Sequence, residues 1–125
     1  MCGILATTDV TTNKELFKQA LSTLIDRGPD EGRILSIKDG MMGFRRLAIM
    51  GLTEEGMQPF TLDNSALICN GEIYCFRPLK EKLEEKYTFH SDSDCEILLP
   101  LYKEYGEKMF AMLDAEYALV LYDAD

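Results

Sequence analysis

Three features of the sequence predict an α/β chain in the broad α+β sense, with strands and helices mixed along one domain. Short runs rich in branched and aromatic residues recur: GILAT, RILSI, MMGFRRLAIM, SALICN, EIYCF and EYALVLYD. Between them lie segments whose apolar residues repeat at helical spacing. Gly, Pro, Asn and Asp punctuate the joins, and no repeat or low-complexity linker interrupts the pattern.

In chain order, GILAT at residues 3–7 reads as a buried strand. Asn13 is placed to cap a helix whose apolar face is Leu16, Phe17, Ala20, Leu21, Leu24 and Ile25. That helix must stop before DRGPD, because Pro29 fixes its own φ and pushes Gly28 out of the α region. RILSI, MMGFRRLAIM, SALICN and EIYCF are predicted strands, with Asn70-Gly71 between the last two suited to a tight hairpin turn. Pro78 fits the first turn of a helix through Glu85, with Leu79 and Leu83 facing inward. Ser93 and Glu96 have the spacing of a capping box, which puts Asp94 in the first turn of a helix carrying Ile97, Leu98, Leu101, Tyr102 and Tyr105. EYALVLYD closes the pattern as an apolar strand with no polar tail behind it, so further strands are expected and the fold is expected to be C-terminally incomplete.

Composition narrows the function classes. With 125 residues, 46% of them hydrophobic and 28% charged, the chain suits one ordinary globular domain. The longest apolar runs are a few residues, so no membrane span or leader is expected and the predicted address is cytoplasmic. A net charge of −9 with scattered Lys and Arg argues against nucleic acid and anionic lipid as partners. The four cysteines, Cys2, Cys69, Cys75 and Cys95, form no C-x-x-C pair, and the single His90 is not spaced to complete a zinc site. Reduced thiols and no metal are the expectation.

Taken singly, the motifs have ordinary readings. Cys2 is a small buried hydrophobe, RGPD a turn, FRRLAIM a strand with a cationic start, ICNGEIY a hairpin and SDSDCE a capped helix. Taken together and in this order, MCGI, RGPD, GFRRLAI, NGEIY, SDCEIL and MLDAEYALVLYD closely resemble the N-terminal glutaminase domain of glutamine-hydrolysing asparagine synthetases. These are class II glutamine amidotransferases with the N-terminal-nucleophile hydrolase fold. The resemblance covers nearly the whole chain, so residues 1–125 are read as the N-terminal part of such a domain. It implies a four-layer α-β-β-α sandwich.

The resemblance also implies roles. Cys2, made N-terminal by loss of Met1, would attack the side-chain amide of L-glutamine, form a glutamyl thioester and release ammonia. Its own α-amine, which titrates at about 7.7–8.0 when free, can take the thiol proton, so no His–Asp relay is required. Asn70 and Gly71 would bind the oxyanion, and Arg46 the substrate α-carboxylate. Asp94 with Glu72 would hold the α-ammonium, and the backbone of Leu47, Ala48, Ile49 and Met50 would line the pocket. Arg46 is chosen over Arg45 because it directly precedes LAI, as the family's arginine does. Asp26, Cys75 and Ala115 depart from the His, Asn and Gly common in the family at those places. The domain itself is expected to need no cofactor; ATP and magnesium would belong to a synthetase domain in the parent chain or a partner subunit, and a homodimer is left open. The alternatives are a non-catalytic amino-acid-binding or docking module of the same fold and a hydrolase of other amides using the same nucleophile.

Overall fold

A computed structural model describes residues 1–125. Two three-stranded antiparallel sheets carry the chain, each made of one hairpin closed by a local turn and a third strand joined through a helix-bearing connection. The first is built from β1 (Gly3–Thr7), β2 (Glu31–Ile37) and β3 (Gly40–Arg46) in the order β1-β3-β2. The second is built from β4 (Phe60–Leu62), β5 (Ser65–Ile73) and β6 (Ala115–Asp123), with β5 in the middle. Three helices, α1 (Lys14–Ser22), α2 (Phe76–Leu83) and α3 (Leu98–Tyr105), complete the regular structure. None is long and apolar enough to cross a membrane.

The layers follow from the alternation of side chains along each strand. On β3, Met42 and Phe44 point toward the second sheet, where they meet Ala66 and Ile68 of β5 and Met57. The opposite face of β3 takes α1, whose Phe17 and Leu21 press on Gly43. On β5 the odd-numbered Leu67, Cys69 and Ile73 point outward, into a larger core with Phe76 and Leu83 of α2 and Leu98, Leu99 and Leu101 of α3. The order is therefore α1, first sheet, second sheet, then α2 with α3: the four-layer α-β-β-α sandwich.

Five local expectations are corrected. Asn70-Gly71 is not a hairpin turn, because β5 runs unbroken through it and pairs with β6 from Ser65↔Asp123 to Ile73↔Ala115. The tight turn lies earlier, at Asp63-Asn64 between Leu62 and its partner Ser65, where Asp63 takes a φ of 51° that Asp tolerates. The first helix begins as expected, with the Asn13 side chain accepting from Leu16 N at 2.8 Å, but ends at Ser22. There the Thr23 hydroxyl bonds back to Ala20 O at 2.8 Å, and the chain tightens into three-residue turns that leave Ile25 exposed.

The predicted strand MMGFRRLAIM stops at Arg46, and Leu47–Met50 is loop. The capping box at Ser93 and Glu96 does not form. The chain enters α3 through a 3₁₀ turn at Asp94–Ile97, and Glu96 instead accepts from the N–H groups of His90 (2.8 Å) and Ser91 (2.9 Å). The second helix carries Pro78 in its first turn and ends at Leu83 rather than Glu85, with Leu83 buried and Leu79 half-buried.

Ile68 is 0% exposed between the sheets, so Ile68→Ala should cost about 2–5 kcal/mol in chemical denaturation. Leu16 is on the predicted apolar face of the first helix yet 56% exposed, and Leu16→Ala should stay within about 0.5 kcal/mol of the parent.

Candidate active site

The residue before β1 and the residues after β3 meet by register. Gly3 pairs with Arg45, so the next step along the ladder brings Cys2 beside Arg46. The Cys2 thiol lies against the following peptide: Leu47 N–H donates to Sγ at 3.3 Å, and the thiol faces Leu47 O at 3.6 Å. Arg27 Nε donates to Cys2 O at 3.1 Å, fixing the backbone of the same residue from the other side.

Alternation along β3 divides the two neighbouring arginines. Arg45 points away from the second sheet and donates to Gly28 O (2.8 Å) and Pro29 O (3.3 Å), so it holds the RGPD turn. Arg46 points between the sheets and is 6% exposed. Its guanidinium donates to Thr53 O at 3.1 Å and to Gly51 O, gathering the loop after β3 around itself, with Glu31 at 4.0 Å. Asp30, the last residue of RGPD, takes the other side of that loop by accepting from Ala48 N at 2.8 Å. At Gly51, with φ at +58°, a Cβ would lie 2.9 Å from Ser93 Cβ, so the loop can approach the segment before Asp94 only as glycine.

The third side is the edge of β5. Even-numbered residues address β6, as Tyr74 N–H does by continuing the pattern to Asp114 O at 2.9 Å. Odd-numbered N–H and C=O groups therefore point to the opposite edge, where β4 pairs only as far as Phe60↔Leu67. Beyond that rung no strand remains, and side chains take over. Gln58, 5% exposed, accepts from Cys69 N at 2.6 Å and donates to Cys69 O at 3.1 Å. Asp94, 6% exposed, accepts from Ile73 N through Oδ2 at 2.6 Å. Between these two bonded positions the same alternation turns the Gly71 N–H toward the open edge. At Gly71 a Cβ would lie 2.7 Å from Tyr117 Cα, so β6 leaves no room for a side chain there.

A cavity of about 200 Å³ occupies the space enclosed by these elements. Cys2, Arg46, Leu47, Ile49, Met50, Asn70, Gly71, Glu72 and Asp94 all line it. Ala48 is the exception among the expected residues: its N–H is engaged by Asp30 and its side chain is exposed. The cavity also draws in Gln58, Ser93, Cys69, Cys95 and Glu116, which the sequence reading did not place in the site. Glu116 had a findable signal, since a strand pairing with NGEIY puts an acid opposite Glu72. Gln58 had none, being one polar residue in a loop.

Charge is distributed across the cavity in a way that suits a zwitterion. Arg46 supplies the cation, while Asp94, Glu72 and Glu116 supply carboxylates. The carboxylate of Glu116 pushes the Tyr74 hydroxyl pKa up, and the two groups lie 3.3 Å apart. Behind the cavity, a hydrogen bond with Cys69 together with burial pushes the Cys95 thiol far up, so it stays protonated. All four cysteines are free. Cys75 ties α2 to the approach of β6, its Sγ accepting from Asp114 N at 3.2 Å. No cluster of three or more His, Cys, Asp or Glu side chains has the arrangement of a metal site. The arrangement provides a thiol, a free backbone N–H with a neighbouring amide side chain, and charges of both signs at one small cavity.

The chain is similar over its full length to a probable glutamine-hydrolysing asparagine synthetase of Schizosaccharomyces pombe, 42% identical over 131 residues, of which it covers 23%. It is 35% identical over 132 residues to glutamine-hydrolysing asparagine synthetase 1 of Bacillus subtilis, matching 98% of this chain and 21% of that protein. A third relative, amidase chry2 of Gibberella zeae, is 36% identical over 113 residues, matching 87% of this chain and 17% of that protein. The chain thus spans about a quarter or less of the length of these relatives. Residues 1–125 match the glutamine amidotransferase domain family throughout, and the chain belongs to that family.

Proposed function

We propose that this chain hydrolyses L-glutamine to L-glutamate and ammonia, with Cys2 as nucleophile. The observation that carries the reading is the convergence of the Cys2 thiol, the Asn70-Gly71 edge and the opposed charges of Arg46 and Asp94 on one cavity. Met1, 66% exposed, lines the mouth of that cavity. Its removal would widen the opening and free the Cys2 α-amine.

The steps follow from the groups present. The neutral α-amine takes the thiol proton, and the thiolate adds to the side-chain amide carbon of glutamine. The C=O π pair moves onto oxygen, and the resulting oxyanion is met by Gly71 N–H and the Asn70 side-chain amide. The tetrahedral intermediate collapses, the C–N bond breaks and nitrogen leaves as ammonia with the proton returned by the ammonium. Water then adds to the thioester carbon, the C–S bond breaks, and glutamate leaves with Cys2 restored.

Recognition is divided between the sheets. Arg46 has N–H groups beyond those given to Gly51 and Thr53, and these suit the substrate α-carboxylate. Asp94 gives Oδ2 to Ile73, which leaves Oδ1 for the α-ammonium, with Glu72 and Glu116 adding negative potential at the rim. Leu47, Ile49 and Met50 border the substrate's aliphatic stem, and Ala48 holds their loop through Asp30. In the reading favoured by the asparagine synthetase relatives, the ammonia passes to a synthetase domain that uses ATP and magnesium and lies outside these residues. A cytoplasmic enzyme is the matching location.

Glutamate and ammonia release from the Met1-free chain is the direct test. A diazo-ketone analogue of glutamine should label Cys2 and spare Cys69 and Cys95, which are buried, and Cys75, which is bonded to the Asp114 amide. Labelling spread over several thiols, or retained in Cys2→Ala, would leave only an amino-acid-binding module of the same fold. Steady-state kinetics should separate the remaining roles. Asn70→Ala is expected to lower kcat by about a hundredfold or more with KM little changed, and Arg46→Ala to act chiefly on KM. Identical patterns for the two variants would refute the division.

A further inference from the structure

We propose that Gln58 is a positioning residue for the oxyanion site, its side-chain amide standing in for the missing strand beside β5. The proposal rests on the glutaminase reading above. Pairing of Phe60 with Leu67 and Leu62 with Ser65 sets a register in which Gln58 falls opposite Cys69. The backbone ladder ends at Phe60, yet the next rung is made, by the side chain. Oε1 accepts from Cys69 N at 2.6 Å and Nε2 donates to Cys69 O at 3.1 Å.

A primary amide carries an acceptor and a donor in one plane, as a backbone amide does, so it can satisfy both groups of Cys69 at once. The consequence falls on the neighbouring residues. The Cys69 carbonyl belongs to the same peptide plane as Asn70 N–H, and Asn70 carries the amide proposed to meet the oxyanion. Gly71 N–H follows on the same edge, bounded on its far side by the bond from Ile73 N to Asp94. Without Gln58, β6 still holds one side of the strand, but the outer edge has no bond between Leu67 and Ile73, and both proposed oxyanion donors gain freedom to shift. Gln58 itself need touch no reacting atom.

Gln58→Met keeps the bulk and removes both bonds. In the full chain freed of Met1, it is expected to lower kcat on the order of tenfold to a hundredfold with KM within about twofold, the pattern of misplaced rather than missing groups. Amide exchange at Asn70, whose N–H faces β6, should quicken relative to Ile73. In an Asn70→Ala background the same substitution should cost much less, because the two act through one site. An unchanged kcat, or the full factor repeated on top of Asn70→Ala, would overturn the proposal. Should Gln58→Met fail to fold, Gln58→Glu, which keeps an acceptor for Cys69 N–H but sets a carboxylate oxygen against Cys69 O, is read in the same way and should show a loss of the same kind. A parent protein that never hydrolyses glutamine would defeat the glutaminase reading by itself; the exchange rate at Asn70 would then decide alone whether Gln58 orders this edge.

Discussion

Buried backbone N–H and C=O groups must find partners, and on the outer edge of β5 that demand is met by side chains. A fully paired strand offers nothing to a ligand, and a bare edge is a template for association. Here Gln58 occupies Cys69, Asp94 occupies Ile73, and Gly71 N–H between them is turned toward the cavity. The same bonds draw two distant segments, the loop before β4 and the turn before α3, against the strand. The cavity is a consequence of how that edge is completed.

The first sheet contributes by a different device. RGPD is a tie more than a turn: Arg27 binds Cys2 O, Gly28 and Pro29 receive Arg45, Asp30 N–H donates to Arg46 O, and the Asp30 carboxylate holds Ala48. Four residues thereby fix the chain start, the end of β3 and the loop beyond it relative to one another. Arg46, deeply buried, would be costly if unpaired; the carbonyls of Gly51 and Thr53 and the nearby Glu31 offset its desolvation while shaping the loop that borders the cavity.

Much of the fold was legible locally. Branched and aromatic runs located the strands, and Asn13 marked the first helix start. Errors arose where a local preference competed with a longer-range partner. Asn-Gly favours a tight turn, but nine consecutive rungs with β6 hold Asn70 and Gly71 extended. Ser93 and Glu96 have capping-box spacing, but Glu96 finds the amides of His90 and Ser91 instead. Apolar LAIM looked like more strand, yet Arg46 and Asp30 bend it into a loop.

The sequence by itself determined the element types, the order of the chemistry-bearing motifs and their likeness to the glutaminase domains, because these depend on residue identity and on neighbours a few positions away. The likeness to the family favours Arg46 over Arg45 as the proposed substrate clamp, and two-residue alternation sends those side chains to opposite faces. Only the tertiary structure decided that Gln58 and Asp94, 36 residues apart in number, complete one strand edge, and that Glu116 joins Glu72 at the rim. Such roles depend on which hydrogen-bonding groups a strand leaves open, and that is fixed by register and sheet order, to which residues far apart along the chain contribute jointly.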